Sequence, residues 1–206
     1  MTVITRSRKK QALGRVPRVT LREVIRNTAR ELFAKEGYQS VSMRRIAAEI
    51  GCSPMAMYRH FVDKDDLLLS ICEETFEQMN RLLDQETQKS GPSLQRLRAC
   101  VSTIIDFHVS HPNHFRVTFM TPIPPGPVAE RKAAVARRTV DRLRAGVREC
   151  AEAKGIAIDV ETVTQMIRVG IYGFASIMIT SHRVCPLGDP GHLKQELIST
   201  LTRQLE

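Results

Sequence analysis

The first sustained pattern in the chain is helical. Leu21, Ile25, Ala29, Leu32 and Phe33 recur at steps of three and four, one face of an α-helix. Gly37 follows them, a residue suited to ending a helix. Ser42 then stands as an N-cap before a short segment whose inward face is Ile46, Ala47 and Ile50, closed by Gly51. Ser53 caps the next helix, with Pro54 in its first position, where a missing N–H leaves nothing unpaired. That helix ends near Phe61. A longer one sets Leu68, Cys72, Phe76, Met79 and Leu83 on one face until Ser90-Gly91-Pro92 breaks it. Ser93 is expected to cap a helix reaching about Ser110. After His111-Pro112, a short helix carries Phe115, Phe119 and Met120. Four prolines and a glycine make residues 121–127 a loop. A helix over 128–154 turns Val135, Leu143 and Val147 inward and ends at Gly155. Asp159 starts the most apolar helix, running to about Ser181. Residues 183–191 read as a Pro/Gly loop before a last helix. Strand-like alternation is scarce, so the expectation is an all-α chain of about nine helices.

Charge divides this series of helices in two. Residues 1–64 carry 14 Lys/Arg against 5 Asp/Glu, and residues 65–206 carry 17 of each, so the whole net charge of +9 lies in the first third. A basic module joined to a neutral one is the footprint of a nucleic-acid reader with a second function behind it. An unevenly charged globular protein is the plainer alternative. Residues 1–19 contain Arg6, Arg8, Lys9, Lys10, Arg15 and Arg18, no acid, and Gly14 and Pro17, which predicts a basic flexible arm. At 206 residues the chain suits one large domain or two small ones. No run of about 18 apolar residues predicts a membrane span, and no signal-peptide stretch follows the basic start. Cys52, Cys72, Cys100, Cys150 and Cys185 are odd in number and form no C-x-x-C pair, the pattern of reduced thiols in a cytoplasmic protein.

The two short helices around Gly51-Cys52-Ser53 have helix-turn-helix spacing. Ile46, Ala47, Ile50 and Met57 would pack the unit, and the second helix would enter the major groove of double-stranded DNA. Residues 22–69 resemble the TetR (tetracycline repressor) family of bacterial regulators. The resemblance is carried by Ser42-Met43-Arg44-Arg45-Ile46-Ala47-Ala48-Glu49-Ile50-Gly51-Cys52-Ser53, by Met57-Tyr58-Arg59-His60-Phe61, by Lys64 and Leu67-Leu68, and by Leu32-Phe33-Ala34-Lys35-Glu36-Gly37-Tyr38 before them. It implies a three-helix DNA-binding domain over 20–66 and a helical effector-binding and dimerisation domain over 67–206. It also implies roles. Ser42 would cap its helix and touch a phosphate, and Arg44 would reach a base edge or phosphate. Pro54, Met55 and Ala56 would lie against bases, and Arg59 would pair with guanine. Tyr58, His60 and Lys64 would hold the DNA backbone. Phe61 reads as core; Tyr58 is expected to pack its ring and offer its hydroxyl.

In the neutral part, Phe107, Phe115, Phe119, Met120, Met166 and Tyr172 are candidates to line a cavity for a small apolar effector, a filled core being the alternative. The family resemblance implies a homodimer through the last two helices. Gly170, Gly173 and Ser176 recur at three-residue steps, allowing close helix approach, with Ile167, Ile171, Phe174 and Met178 as the partner surface or, alternatively, intrachain core. His108, His111 and His114 invite a metal reading, but Pro112 breaks their register and no acid or cysteine completes the set. No metal, cofactor or enzymatic motif is expected. The leading expectation is a DNA-binding transcriptional regulator, a repressor released from a palindromic operator by a small apolar effector. The alternatives are a helical ligand-binding enzyme or carrier with an incidental basic segment, and a nucleoid protein indifferent to sequence.

Overall fold

The computed structural model describes residues 19–181 and 188–206. Among the described residues are nine α-helices and no strand. They are α1 (Leu21–Glu36), α2 (Met43–Ile50), α3 (Pro54–Tyr58), α4 (Lys64–Thr87), α5 (Ser93–Ser110), α6 (Pro112–Phe115), α7 (Pro127–Lys154), α8 (Val160–Thr180) and α9 (Pro190–Thr202). A π-helical turn, Arg116–Met120, follows α6, and a 3-10 turn, Arg203–Leu205, follows α9. All but the last residue of the expected arm, and most of the expected 183–191 loop, lie outside the described residues.

Side-chain caps fix most helix starts by accepting a first-turn N–H that would otherwise be unpaired. Ser42 Oγ accepts from Arg45 N at 3.1 Å and Ser53 Oγ from Ala56 N at 3.2 Å. Asp63, Asp159 and Asp189 cap α4, α8 and α9. Thr20 and Glu23 form a reciprocal capping box at α1, built on a T-x-x-E spacing in the sequence. Three starts depart from expectation. Pro92 takes the cap position of α5, so Ser93 lies inside the first turn and caps nothing. Pro127 and Pro190 open α7 and α9 instead of belonging to loops, since a first-turn residue has no N–H obligation. The segment with Phe115 and Phe119 is likewise not one helix: it is a single α-turn that widens into the π-helical turn.

Two hydrophobic cores result, and α4 enters both. Its Leu67, Leu68, Ile71 and Cys72 join Ile25, Phe33, Ile46, Met57 and Phe61. One to three turns later, Phe76, Met79 and Leu83 join Val101, Ile104, Leu143, Ile167 and Ile171. The π-helical turn also spans the cores. Val117 packs into the first and Phe119 against the second. Between them, the buried Thr118 Oγ1 donates to Thr75 Oγ1 of α4 at 3.1 Å. Glu74 of α4 holds Arg26 and Arg30 of α1 at 2.9 and 2.8 Å. The helix-turn-helix unit is thus joined to the helical body by packing and by ion pairs.

The phase of α8 corrects an expectation. Ile167, Ile171 and Phe174 are buried in the chain's own core and Met178 packs against it, so they do not form the partner surface. Gly170 serves α9: a Cβ there would lie 2.5 Å from Leu201 Cδ1. The outward stripe is instead Met166, Val169, Gly173 and Ile177; Met166 and Val169 are 53% and 65% exposed. By length and apolar content α8 is enough to cross a membrane, with a mean hydropathy of 1.2, but its apolar residues are divided between this core and this stripe.

Candidate nucleic-acid interface and effector region

Gly51 makes the tight turn between α2 and α3, with φ 69° and ψ 30°. A side chain rarely adopts this left-handed conformation, whereas glycine does so without a Cβ penalty. Met57 and Phe61 fasten the unit from below and are fully buried. The opposite face of α3 is left outside: Pro54 and Arg59 are exposed, Met55 is 67% and Tyr58 52% exposed, and Ala56 is half-buried. Tyr58 therefore presents much of its ring rather than packing it. Ser42 and Arg44 are exposed at the start of α2, and His60 and Lys64 are half-buried just beyond α3.

The cations here divide by what they already hold. Arg45 is tied to Glu36 and Glu49, and the carboxylate of Glu49 raises its pKa still further. Arg22 lies 4.2 Å from the Phe61 ring centroid and donates to the His60 carbonyl. Arg44 and Arg59 pair with no acid among the described residues. Lys64 is partly engaged: Nζ donates to the Tyr38 carbonyl at 3.0 Å and sits 4.3 Å from that ring's centroid. An ammonium has three N–H donors, so two remain. The Tyr38 hydroxyl donates to Asp65; burial and that carboxylate push its pKa well above the ordinary range. The exposed face thus carries two guanidinium groups with no acid partner among the described residues, exposed apolar surface at Pro54 and Met55, and hydrogen-bond donors around it.

The six effector candidates do not share one position. Phe107, Phe115, Phe119 and Tyr172 meet around His108, whose ring centroid lies 4.8 Å from Phe119, 5.1 Å from Phe115 and 6.0 Å from Tyr172. Met120 is exposed in an interdomain cleft of about 370 Å³ with Phe33, Tyr38 and Pro122. Met166 lies on the outward stripe of α8. Sequence reasoning offered His108 only as a metal candidate, not as a member of this cluster. It is fully buried, neither ring nitrogen has a partner, and burial pushes its pKa down to about 3. His114, also buried, is held at about 4 by burial and then by Arg30. Among the described residues no three His, Cys, Asp or Glu side chains gather as a metal site.

Beside this aromatic cluster, Phe76, Met79, Ile104, Leu143, Ile171 and Tyr172 leave a seam of only about 10 Å³, room for roughly one water. A wider cleft of about 470 Å³ opens further along α4, α5 and α7 over Leu83, Leu97, Cys100 and Leu143.

Comparison with known proteins agrees with this geometry. A family model described as bacterial regulatory proteins, tetR family, matches residues 25–71. A second, a tetracyclin repressor-like C-terminal domain, matches residues 97–201. Among solved structures, the transcriptional regulator FadR from Bacillus subtilis in complex with stearoyl-CoA superposes with a TM-score of 0.75 at 19% identity, over 86% of this chain and 96% of that one. A tetR-family regulatory protein from Rhodococcus RHA1 superposes at 0.69 with 23% identity, over 89% and 96%. PfmR, a TetR-family regulator from Thermus thermophilus, does so at 0.70 with 20% identity, over 91% and 97%. At these identities the superpositions show a shared fold.

Proposed function

This chain belongs to the tetR family of bacterial regulatory proteins and is a DNA-binding transcriptional regulator, and from that premise we propose that it is a dimeric repressor released from a near-palindromic operator by a small apolar or amphipathic effector. The observation that carries the reading is the exposed α3 face, with Arg44 and Arg59 free of acid partners among the described residues, joined through α4 to a helical body with no net charge of its own. Ser42, Arg44, Pro54, Met55, Ala56 and Arg59 meet base edges and nearby phosphates; Tyr58, His60 and Lys64 hold the backbone. One recognition helix of five residues covers too little DNA to be selective, so two are presented together by a dimer. The apolar stripe Met166, Val169, Gly173 and Ile177 on α8 supports the partner contact, because solvent-facing apolar patches mark interfaces.

The effector acts in the neutral body, near Phe107, Phe115, Phe119 and Tyr172. A relative of the same fold holds stearoyl-CoA, which supports a ligand of partly apolar character here. Binding shifts α4 and the π-helical turn, both anchored in the two cores, and so changes the separation of the recognition helices. The ligand works only through its different affinity for the DNA-binding and released states. A coupling of about 1–3 kcal/mol changes operator affinity roughly 5–150-fold, and operator DNA weakens ligand binding by the same factor. The protein works in the cytosol, with its DNA. An enzyme or carrier reading loses to the family match, which covers both halves with regulator domains. Fluorescence anisotropy with DNA from upstream of the protein's own gene, with and without candidate ligands, tests the proposal. Sequence-selective binding that a ligand weakens supports it, and equal affinity for every duplex contradicts it.

A further inference from the structure

We propose that the effector is an elongated amphiphile with an anionic head, and that it enters between the end of α4, the start of α5 and the middle of α7. The proposal rests on the effector reading above and adds a chemical class, a route and the residues that hold the head. The cleft there, about 470 Å³, is large enough for a small molecule. Its floor is apolar, with Leu83, Leu97 and Leu143, and its lining carries Lys89, Arg96 and Arg142 against the single acid Glu149. Cations thus outnumber acids three to one in the lining, although Arg142 is held from outside it by Asp84 and the Asn80 carbonyl. The pairs that Lys89 and Arg96 now make, with Glu86 and Glu149, each join one exposed and one half-buried group at the surface. Such surface pairs contribute little and exchange readily for a better-placed anion. No side chain caps the first turn of α5, which begins at this rim and adds the positive end of its dipole.

The cleft does not end blindly. Leu143 lines both it and the inner seam that contains Phe76 and Tyr172. Beyond the seam stands His108, with its unpartnered ring nitrogens. From Leu97 to His108 the α5 helix advances about 16 Å at 1.5 Å per residue. A compact ligand cannot reach from the rim to the aromatic cluster, whereas an extended chain can. Gly146 makes room for Leu97 in the floor of the cleft: a Cβ there would meet Leu97 Cδ1 at 3.1 Å, so a larger side chain would press Leu97 into the cleft. Since the seam is nearly closed, a chain entering it must displace aromatic side chains next to Phe119, at the π-helical turn shared by both cores.

The test is calorimetric titration of the full chain with dodecanoate, dodecyl phosphate and dodecanol, each below its micellar concentration, followed by operator binding with each probe present. The expected result is at least tenfold tighter binding of one or both anions than of dodecanol, the tighter anion identifying the head, and weakened operator binding. The double variant Lys89→Gln with Arg96→Gln should remove the preference while dodecanol binds as before. Gly146→Leu should weaken all three probes at least tenfold, with probe-free operator affinity retained as evidence of folding. Equal affinities for anions and alcohol in the unaltered protein overturn the anionic head, and leave the regulator reading standing if dodecanol still weakens operator binding. Loss of the preference in Arg168→Met, but not in the rim variant, overturns the route, since Arg168 borders the seam from α8. An anion that binds without changing operator affinity overturns its role as effector.

Discussion

Arg44 and Arg45 stand side by side at the start of α2, yet only Arg45 is bound to acids among the described residues. Adjacent helical positions diverge by about 100°, so one guanidinium turns to Glu36 and Glu49 while the other stays outside. That separation could not be read from two consecutive arginines. Arg59→Ala is expected to weaken operator binding by about 1–3 kcal/mol and to relax preference at one base position. Lys64→Ala should instead weaken all duplexes alike and reduce the magnitude of the salt slope by about one; matched specificity profiles for the two variants would contradict this division. The buried histidines give a pH dependence. Their folded pKa values, about 3 for His108 and about 4 for His114, lie below the ordinary 6.5. The unfolded chain therefore binds more protons, and stability falls as pH drops below about 6.5, by up to roughly 1.4 kcal/mol per pH unit for each, levelling near pH 3 and 4 respectively. Denaturant titrations from pH 7.5 to 5 should show that decline. Because His108 has no hydrogen-bond partner, His108→Phe should add on the order of 1 kcal/mol, raise Tm by about 2–4 °C and flatten the pH slope.

At the scale of elements, Gly51 isolates one effect. Its φ is 69° and a Cβ would meet nothing within 4 Å, so Gly51→Ala suffers only the left-handed penalty, about 1–2 kcal/mol. Gly51→Asn should recover part of it. Thermal melts of both variants measure the difference, and an alanine variant as stable as the original would contradict the conformational argument. Ser53→Ala should lose about 1 kcal/mol with the cap to Ala56 N. Such elements were legible because caps and breakers act within three or four residues. The α8 face was not. That helix carries apolar residues on more than one side, so its sequence does not tell the core-facing apolar side from the outward one. Only packing against α5 and α7, and against α9 through Gly170 and Leu201, shows that Ile167 and Ile171 turn inward and Val169 outward. The π-helical turn was hidden for the same reason: hydrogen-bond register leaves little mark on residue type. His108 escaped because a histidine without partners inside a ring of aromatics breaks the rule that buried polar groups are satisfied.

For the molecule as a whole, symmetry and charge govern behaviour. Val169→Glu places a carboxylate in the outward stripe of α8 and should convert the dimer to monomer, with operator affinity reduced at least a hundredfold. Light scattering at micromolar concentration checks this, and a dimeric Val169→Glu variant would move the interface elsewhere. The charge division was readable from the sequence in full, as was the helix-turn-helix. The sequence did not show which effector candidates lie together: four of six gather around His108, while Met120 and Met166 lie apart, because methionine serves core, cleft and surface alike. The central claim is that a symmetric pair of α3 helices reads one DNA sequence. Selection of duplexes from a randomised pool by the purified chain tests it most directly. The account predicts enrichment of a near-palindrome whose half-sites lie about one helical turn or somewhat more apart, with enrichment lost in Arg59→Ala at one position per half-site. A pool that binds yet converges on no sequence, or on a single unrepeated half-site held by a monomer, would contradict it.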